Sequence, residues 1–216
     1  MKREENLKRK AIEVAERLKE HYSSECALEY EGEPWKLLVL ARLSAQCTDK
    51  RVNMVALPLF KAFPTLESMA ECDLTLLEEI IKPCGLYRRK AKEIKASCRM
   101  LIDKYNGIVP DSIDELLVLP GVGRKIANLI VGDVYGKPAI VADTHCIRIS
   151  ARLGFTEKGE KNPLKTEKAL KKYLPEAEQS DFCHRIVQFG REVCFARSPK
   201  CEECFLSDIC ESRAEK

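Results

Sequence analysis

The sequence predicts an all-α protein. Three observations lead there. Apolar residues recur at three- and four-residue spacing in segment after segment, residues of the kind that start and stop helices bound those segments, and no stretch sustains the alternation of a strand.

In chain order, residues 5–22 form a charged, amphipathic first helix. Glu33-Pro34 opens the nearly all-apolar run "WKLLVLARLSAQ". Proline suits a first helical turn, and a helix apolar on most sides is expected to be central and buried. Thr48 can cap a helix from Asp49 to about Phe60, with Pro58 expected to kink or shorten its last turn. Short helices at 65–71 and 73–82 end at Pro83-Cys84-Gly85. From Tyr87 to Tyr105 the residues Ile94, Cys98, Leu101 and Ile102 keep helical spacing, and Arg88, Arg89, Lys90, Lys92 and Lys95 crowd the start. That charge run reads as a solvated face. Ser112 caps a short helix through "IDELLVL", the turn "LPGVGRK" follows, and "KIANLIVGDVYG" is helical to near Gly136. Asp143 or Thr144 caps the next helix, Asn162-Pro163 starts another, and Ser180 to Cys194 supplies the last long one.

At 216 residues the chain can bury a core as one large domain or two small ones. No apolar run reaches the roughly 18 residues of a membrane span, so no membrane partner is expected. The N-terminus lacks the apolar stretch of a signal peptide, which points to an intracellular protein of the cytoplasm or nucleoid. A formal charge of +3 does not by itself imply a polyanionic partner, so nucleic-acid affinity would have to come from local cation clusters.

Eleven cysteines in a reducing compartment call for metal-ligand spacing before disulfides. "CFARSPKCEECFLSDIC" supplies it: Cys194, Cys201, Cys204 and Cys210 stand at C-x6-C-x2-C-x5-C. Four thiolates on one centre suit either tetrahedral zinc or a 4Fe–4S cluster. Zinc loops usually carry two short knuckles and only one is present here, so the wider spans favour the bulkier cluster. Cys26, Cys72, Cys84, Cys98 and Cys183 read as small buried hydrophobes; Cys47 and Cys146 read the same way, although each lies beside a candidate site residue.

Gly121 and Gly123 are expected to permit backbone angles and close approaches that a Cβ would forbid. Between two helices they make a helix–hairpin–helix whose N–H groups can dock a phosphate. The positive end of a helix disfavours an ammonium held in its first turn, and a neutral lysine amine can form a Schiff base with an aldehyde carbon. Lys125 stands at that place. Asp143 can cap its own helix and also act as proton acceptor and stabiliser of positive charge on a sugar. On residue type alone, Gln46 reads as helix-end surface and Leu86 as core.

The order "LPGVGRK", "VADTH" and the cysteine loop, together with "LSAQCTDKRVN" and "GLYRRKA", resembles the endonuclease III family of helix–hairpin–helix base-excision DNA glycosylases over nearly the whole chain. The resemblance implies a six-helix barrel domain at 27–137 beside a 4Fe–4S domain of 1–26 and 138–216. It implies a bifunctional DNA glycosylase and AP lyase, monomeric, acting on double-stranded DNA with oxidised pyrimidines or abasic sites. Lys125 and Asp143 match the family's catalytic pair, Gln46 the residue that fills the gap left by a flipped nucleotide, and Leu86 the wedge. Gly121, Gly123, Arg124, His145, Arg197 and Lys200 are the further DNA contacts it implies. Two rivals stand beside it: an adenine-type monofunctional glycosylase, and a silent DNA-binding or redox module. Trp35 to Thr48 holds no carboxylate for the first, and Lys125 and Asp143 together argue against the second.

Overall fold

The described residues, 2–214 of a computed structural model, hold twelve α-helices, short 3₁₀ turns and no strand. The helices are α1 (Lys2–His21), α2 (Pro34–Leu43), α3 (Asp49–Ala62), α4 (Leu66–Ala70), α5 (Leu74–Ile81), α6 (Tyr87–Tyr105), α7 (Ile113–Leu116), α8 (Arg124–Asp133), α9 (Thr144–Leu153), α10 (Pro163–Tyr173), α11 (Gln179–Glu192) and α12 (Glu211–Ala214). They divide into two compact units, Cys26–Tyr135 and Met1–Glu25 with Gly136–Lys216.

The unit Cys26–Tyr135 is built around α2. Glu33 stands at its N-cap with Pro34 in the first turn, and Trp35, Leu37, Leu38, Val39, Leu40 and Leu43 are all buried. α2 packs on α3, α6 and α8. Each fully buried leucine contributes roughly 1.5–3 kcal/mol, and truncating one to alanine leaves a cavity as well, for a total of roughly 2–5 kcal/mol. α4 and α5 each pack on α6, and α7 packs against α8.

α3 departs from expectation. It runs through Pro58 to Ala62 instead of ending near Phe60. Pro58 lies on an exposed face with Met54 (71% exposed) and Leu57 (78% exposed), so the missing N–H falls on the solvent side, where water can serve the Met54 carbonyl. Two expected caps also differ: Thr48 and Ser112 occupy N-cap positions without donating or accepting a side-chain capping bond. The short helix before the glycine turn stops at Leu116, because Leu117 and Val118 swing outward while Leu119 turns into the core. Cys26, expected to be buried, is partly exposed, while Cys72, Cys84, Cys98 and Cys183 are buried.

In the other unit, α1 buries Ala11, Val14, Ala15 and Leu18, one stripe at helical spacing, against α10 and α11. α9 packs on α10, α11 and α12. Gly190 of α11 lets α9 approach closely at His145, Arg148 and Ile149, where a Cβ would find no room.

Candidate active site and cluster loop

The glycine turn links α7 to α8 and is closed by a bond from the Val122 N–H to the Leu119 carbonyl at 3.1 Å. Gly121 has φ +77°, and a Cβ there would meet Arg42 Nε at 2.8 Å and Glu93 Cβ at 2.9 Å. Arg42 of α2 and Glu93 of α6 form a largely buried ion pair, with Arg42 Nε donating to Glu93 Oε2 at 2.6 Å. The first glycine is therefore required twice, by its left-handed backbone and by the ion pair beneath it. Gly123 is different from expectation: its φ of −100° and ψ of 174° are extended backbone open to any residue. Nothing lies within 4 Å of where its Cβ would be. It is the N-cap of α8, offers no side-chain cap to the first N–H groups of the helix, and is exposed together with Arg124 and Lys125.

Gln46 and Leu86 belong to the same unit and share an unusual backbone. Both are in the left-handed region, with φ of 55° and 48°. Both side chains are exposed, Leu86 by 54%, so residue type misleads when it assigns Leu86 to the core. A leucine held left-handed costs on the order of 1 kcal/mol or more.

Asp143, in the unit of α9, is the N-cap of that helix and accepts from the Cys146 N–H at 2.8 Å. One carboxylate oxygen is thereby committed to the cap. Next along, His145 is half-buried, its Nδ1 lying 3.2 Å from Arg148 Nη2. Burial pulls its pKa below the ordinary histidine value, against the opposite pull of the Asp143 charge. Lys125 and Asp143 thus stand in different units of the chain.

The last two turns of α9 reach the cysteine loop. Arg148 donates to the carbonyls of Gly190 and Cys194 at 3.2 and 2.9 Å. Arg152 donates to Cys194 Sγ at 3.1 Å and to the carbonyls of Phe195 and Ala196 at 2.7 and 3.0 Å. Neither arginine is marked in the sequence, because α9 ends at Leu153, some forty residues before Cys194, and only the fold brings the two together. Arg197 and Lys200 project from the same loop into solvent.

Cys194, Cys201, Cys204 and Cys210 line one cavity of about 180 Å³, together with apolar side chains such as Leu153, Phe189 and Leu206 and the cations Arg152, Lys200 and Arg213. Among the described residues, no three or more His, Cys, Asp or Glu side chains stand as the ligand shell of a single metal ion. Four thiols facing a shared space, with the guanidinium of Arg152 against one sulfur, fit an anionic cluster larger than one ion.

Comparison with known proteins adds the family. Residues 39–176 match the HhH-GPD superfamily of base excision DNA repair proteins. Residues 194–210 match the iron-sulfur binding domain of endonuclease III. The chain is 41% identical over 207 residues to endonuclease III of Synechocystis sp., covering 95% of this chain and 93% of that protein. It is 44% identical over 187 residues to endonuclease III of Bacillus subtilis, covering 87% and 84%. A solved non-covalent endonuclease III–DNA complex and a trapped endonuclease III–DNA covalent intermediate each match at 42% identity and a TM-score of 0.88. In both, 98% of this chain and 97% of the other are covered.

Proposed function

The chain belongs to the HhH-GPD superfamily of base excision DNA repair proteins, and from that membership we propose that Lys125 and Asp143 are the catalytic residues of a DNA glycosylase and AP lyase that removes oxidised pyrimidines. The enzyme class and the 4Fe–4S cluster follow from the family and its relatives. No described helix is long and apolar enough to cross a membrane. In this proposal the enzyme works as a monomer in the nucleoid.

A damaged base inside a duplex is out of reach and has to be extruded. Gln46 and Leu86 enter the space it leaves: an amide can hydrogen-bond the orphaned base, and an apolar wedge can sit between base steps. The open N-terminus of α8 at Gly123 and Arg124 takes a backbone phosphate, as does the exposed edge of Arg197 and Lys200. His145 is a further DNA contact. The Nζ of Lys125 bonds to C1′ of the extruded nucleoside as the glycosidic bond breaks, the departing base keeping the electron pair. Asp143 accepts a proton and balances positive charge on the sugar; its cap leaves the second carboxylate oxygen for that work. The C1′–O4′ bond then opens, O4′ taking a proton, and the iminium so formed acidifies the C2′ proton, whose removal breaks the C3′–O bond and expels the 3′ phosphate. Water then releases Lys125. Cys194, Cys201, Cys204 and Cys210 hold the cluster, which when bound cross-links the loop bearing Arg197 and Lys200.

What carries the reading is an exposed lysine directly after an uncapped helix start, in a chain similar to a protein trapped in covalent union with DNA. Borohydride trapping on duplex DNA with an abasic site tests it. A covalent adduct is expected from the native enzyme and none from Lys125→Ala; an adduct that persists in that variant overturns the assignment. Lys125→Gln should abolish strand cutting while keeping most of the binding. Release of adenine from a mispair without cutting would move the enzyme to the adenine-type class.

A further inference from the structure

Lys90 is expected to be one of several solvated cations at the start of α6, yet its side chain is fully buried. Its Nζ donates to the Leu43 carbonyl at 2.8 Å and to the Cys84 carbonyl at 2.8 Å. These acceptors are not neighbours in sequence. Leu43 is the last residue of α2, and its carbonyl is one of those a helix end leaves unbonded. Cys84 closes the 3₁₀ turn Lys82–Cys84. Three residues past Leu43 comes Gln46, and two past Cys84 comes Leu86, the two exposed left-handed residues. One ammonium therefore joins the roots of both loops.

We propose that Lys90 is a positioning residue for duplex opening: by binding the Leu43 and Cys84 carbonyls it holds Gln46 and Leu86 in a fixed mutual geometry, so that both enter the DNA together. The proposal rests on the reading of Gln46 and Leu86 as the residues that enter the duplex. A buried cation bonded only to backbone has no evident gain in stability over an apolar side chain of equal length. It does impose direction, because two carbonyls must both point at one nitrogen. Extrusion depends on two side chains arriving in register, and misplacement of about 1 Å can cost a hundredfold in rate.

The test separates work on a duplex from chemistry that needs no opening. Two single-turnover rates are measured for each variant below its melting temperature: base excision from duplex DNA, and cleavage of a pre-made abasic site in a single-stranded oligonucleotide. Lys90→Met is expected to lower the duplex rate by roughly tenfold to a hundredfold while the single-strand rate falls less than about threefold. Lys90→Gln, which keeps two N–H donors, should recover part of the duplex rate. The proposal is overturned if both rates fall in proportion, if Lys90→Met matches the native enzyme on duplex, or if neither variant folds, which would make Lys90 a residue of core stability. Gln46→Ala and Leu86→Ala are run alongside. Unchanged duplex rates in those two would sink the reading of the loops and leave the geometry at Lys90 without that purpose.

Discussion

Arg152 donates from α9 to the sulfur of Cys194 at 3.1 Å and to the next two carbonyls of the chain. A planar guanidinium can serve three acceptors in one plane, which a lysine ammonium at the end of a flexible stem cannot copy. Burial pushes the Cys194 thiol up, and Arg152 pulls it back toward the thiolate a cluster needs. Arg152→Leu is expected to speed cluster loss by roughly tenfold or more under chelation, followed by visible absorbance. Arg152→Lys should rescue little of this. Equal bleaching rates in all three proteins would show that the contact does not hold the ligand loop.

The two hairpin glycines should respond in opposite ways. Gly121→Ala meets both a left-handed backbone and the Arg42–Glu93 pair, so a loss of roughly 1–3 kcal/mol in unfolding free energy is expected. Gly123→Ala adds a methyl to open space on ordinary backbone and should stay within about 0.5 kcal/mol of the native protein. Its cost should appear in affinity for abasic-site DNA, since the methyl occupies the approach to the helix start. Denaturant melts and binding titrations of the two variants decide this. Reversed effects would contradict the geometry.

Asp143 combines a structural and a chemical role that substitution can separate. Asparagine caps a helix as well as aspartate, whereas alanine costs roughly 0.5–2 kcal/mol. Asp143→Asn should therefore melt close to the native protein while losing most base excision. Asp143→Ala should lose both. Full excision by the asparagine variant would leave the carboxylate with its cap alone.

Glu93 makes stability depend on acid. Burial raises its pKa, but the hydrogen bonds from Arg89 and Arg42 outweigh that, leaving it below the ordinary 4.5. A carboxylate depressed on folding stabilises fully above its unfolded value, and that contribution is lost as pH falls through the folded one. The stability gap between the native protein and Glu93→Gln should accordingly be constant near neutrality and narrow below 4.5. Thermal melts across an acid series give the measurement; a gap independent of pH would contradict the assignment.

Helix starts were readable where chemistry marks them locally. Pro34, Asn162-Pro163 and Asp143 announce their helices because the cap or the fixed φ acts within a turn. Thr48 and Ser112 carry the same sign without forming the bond, since residue type cannot tell where a hydroxyl turns. The cysteine loop was legible because its donors crowd into one short stretch. Less legible were the contacts that cross the chain: Arg42 with Glu93, Arg152 with the Cys194 loop, and Lys90 with Leu43, whose partners are distant in sequence and often backbone carbonyls. Lys90 did leave a trace, since it continues the buried stripe of Ile94, Cys98 and Leu101 back by one turn. A charge at an apolar register position is a question, and its answer needs the third dimension.

The split of the chain into a continuous middle and a body assembled from both flanks has a consequence for biosynthesis. Translated well before its partners α10 and α11, α1 presents Ala11, Val14, Ala15 and Leu18 without them in the interval. At cellular elongation rates that interval lasts on the order of ten seconds or more. Meanwhile Cys26–Tyr135 emerges as one stretch with its own apolar interior and can collapse unaided. The nascent protein therefore carries a finished centre and a lone amphipathic segment together, and the second body closes only when its final long helix has cleared the exit tunnel.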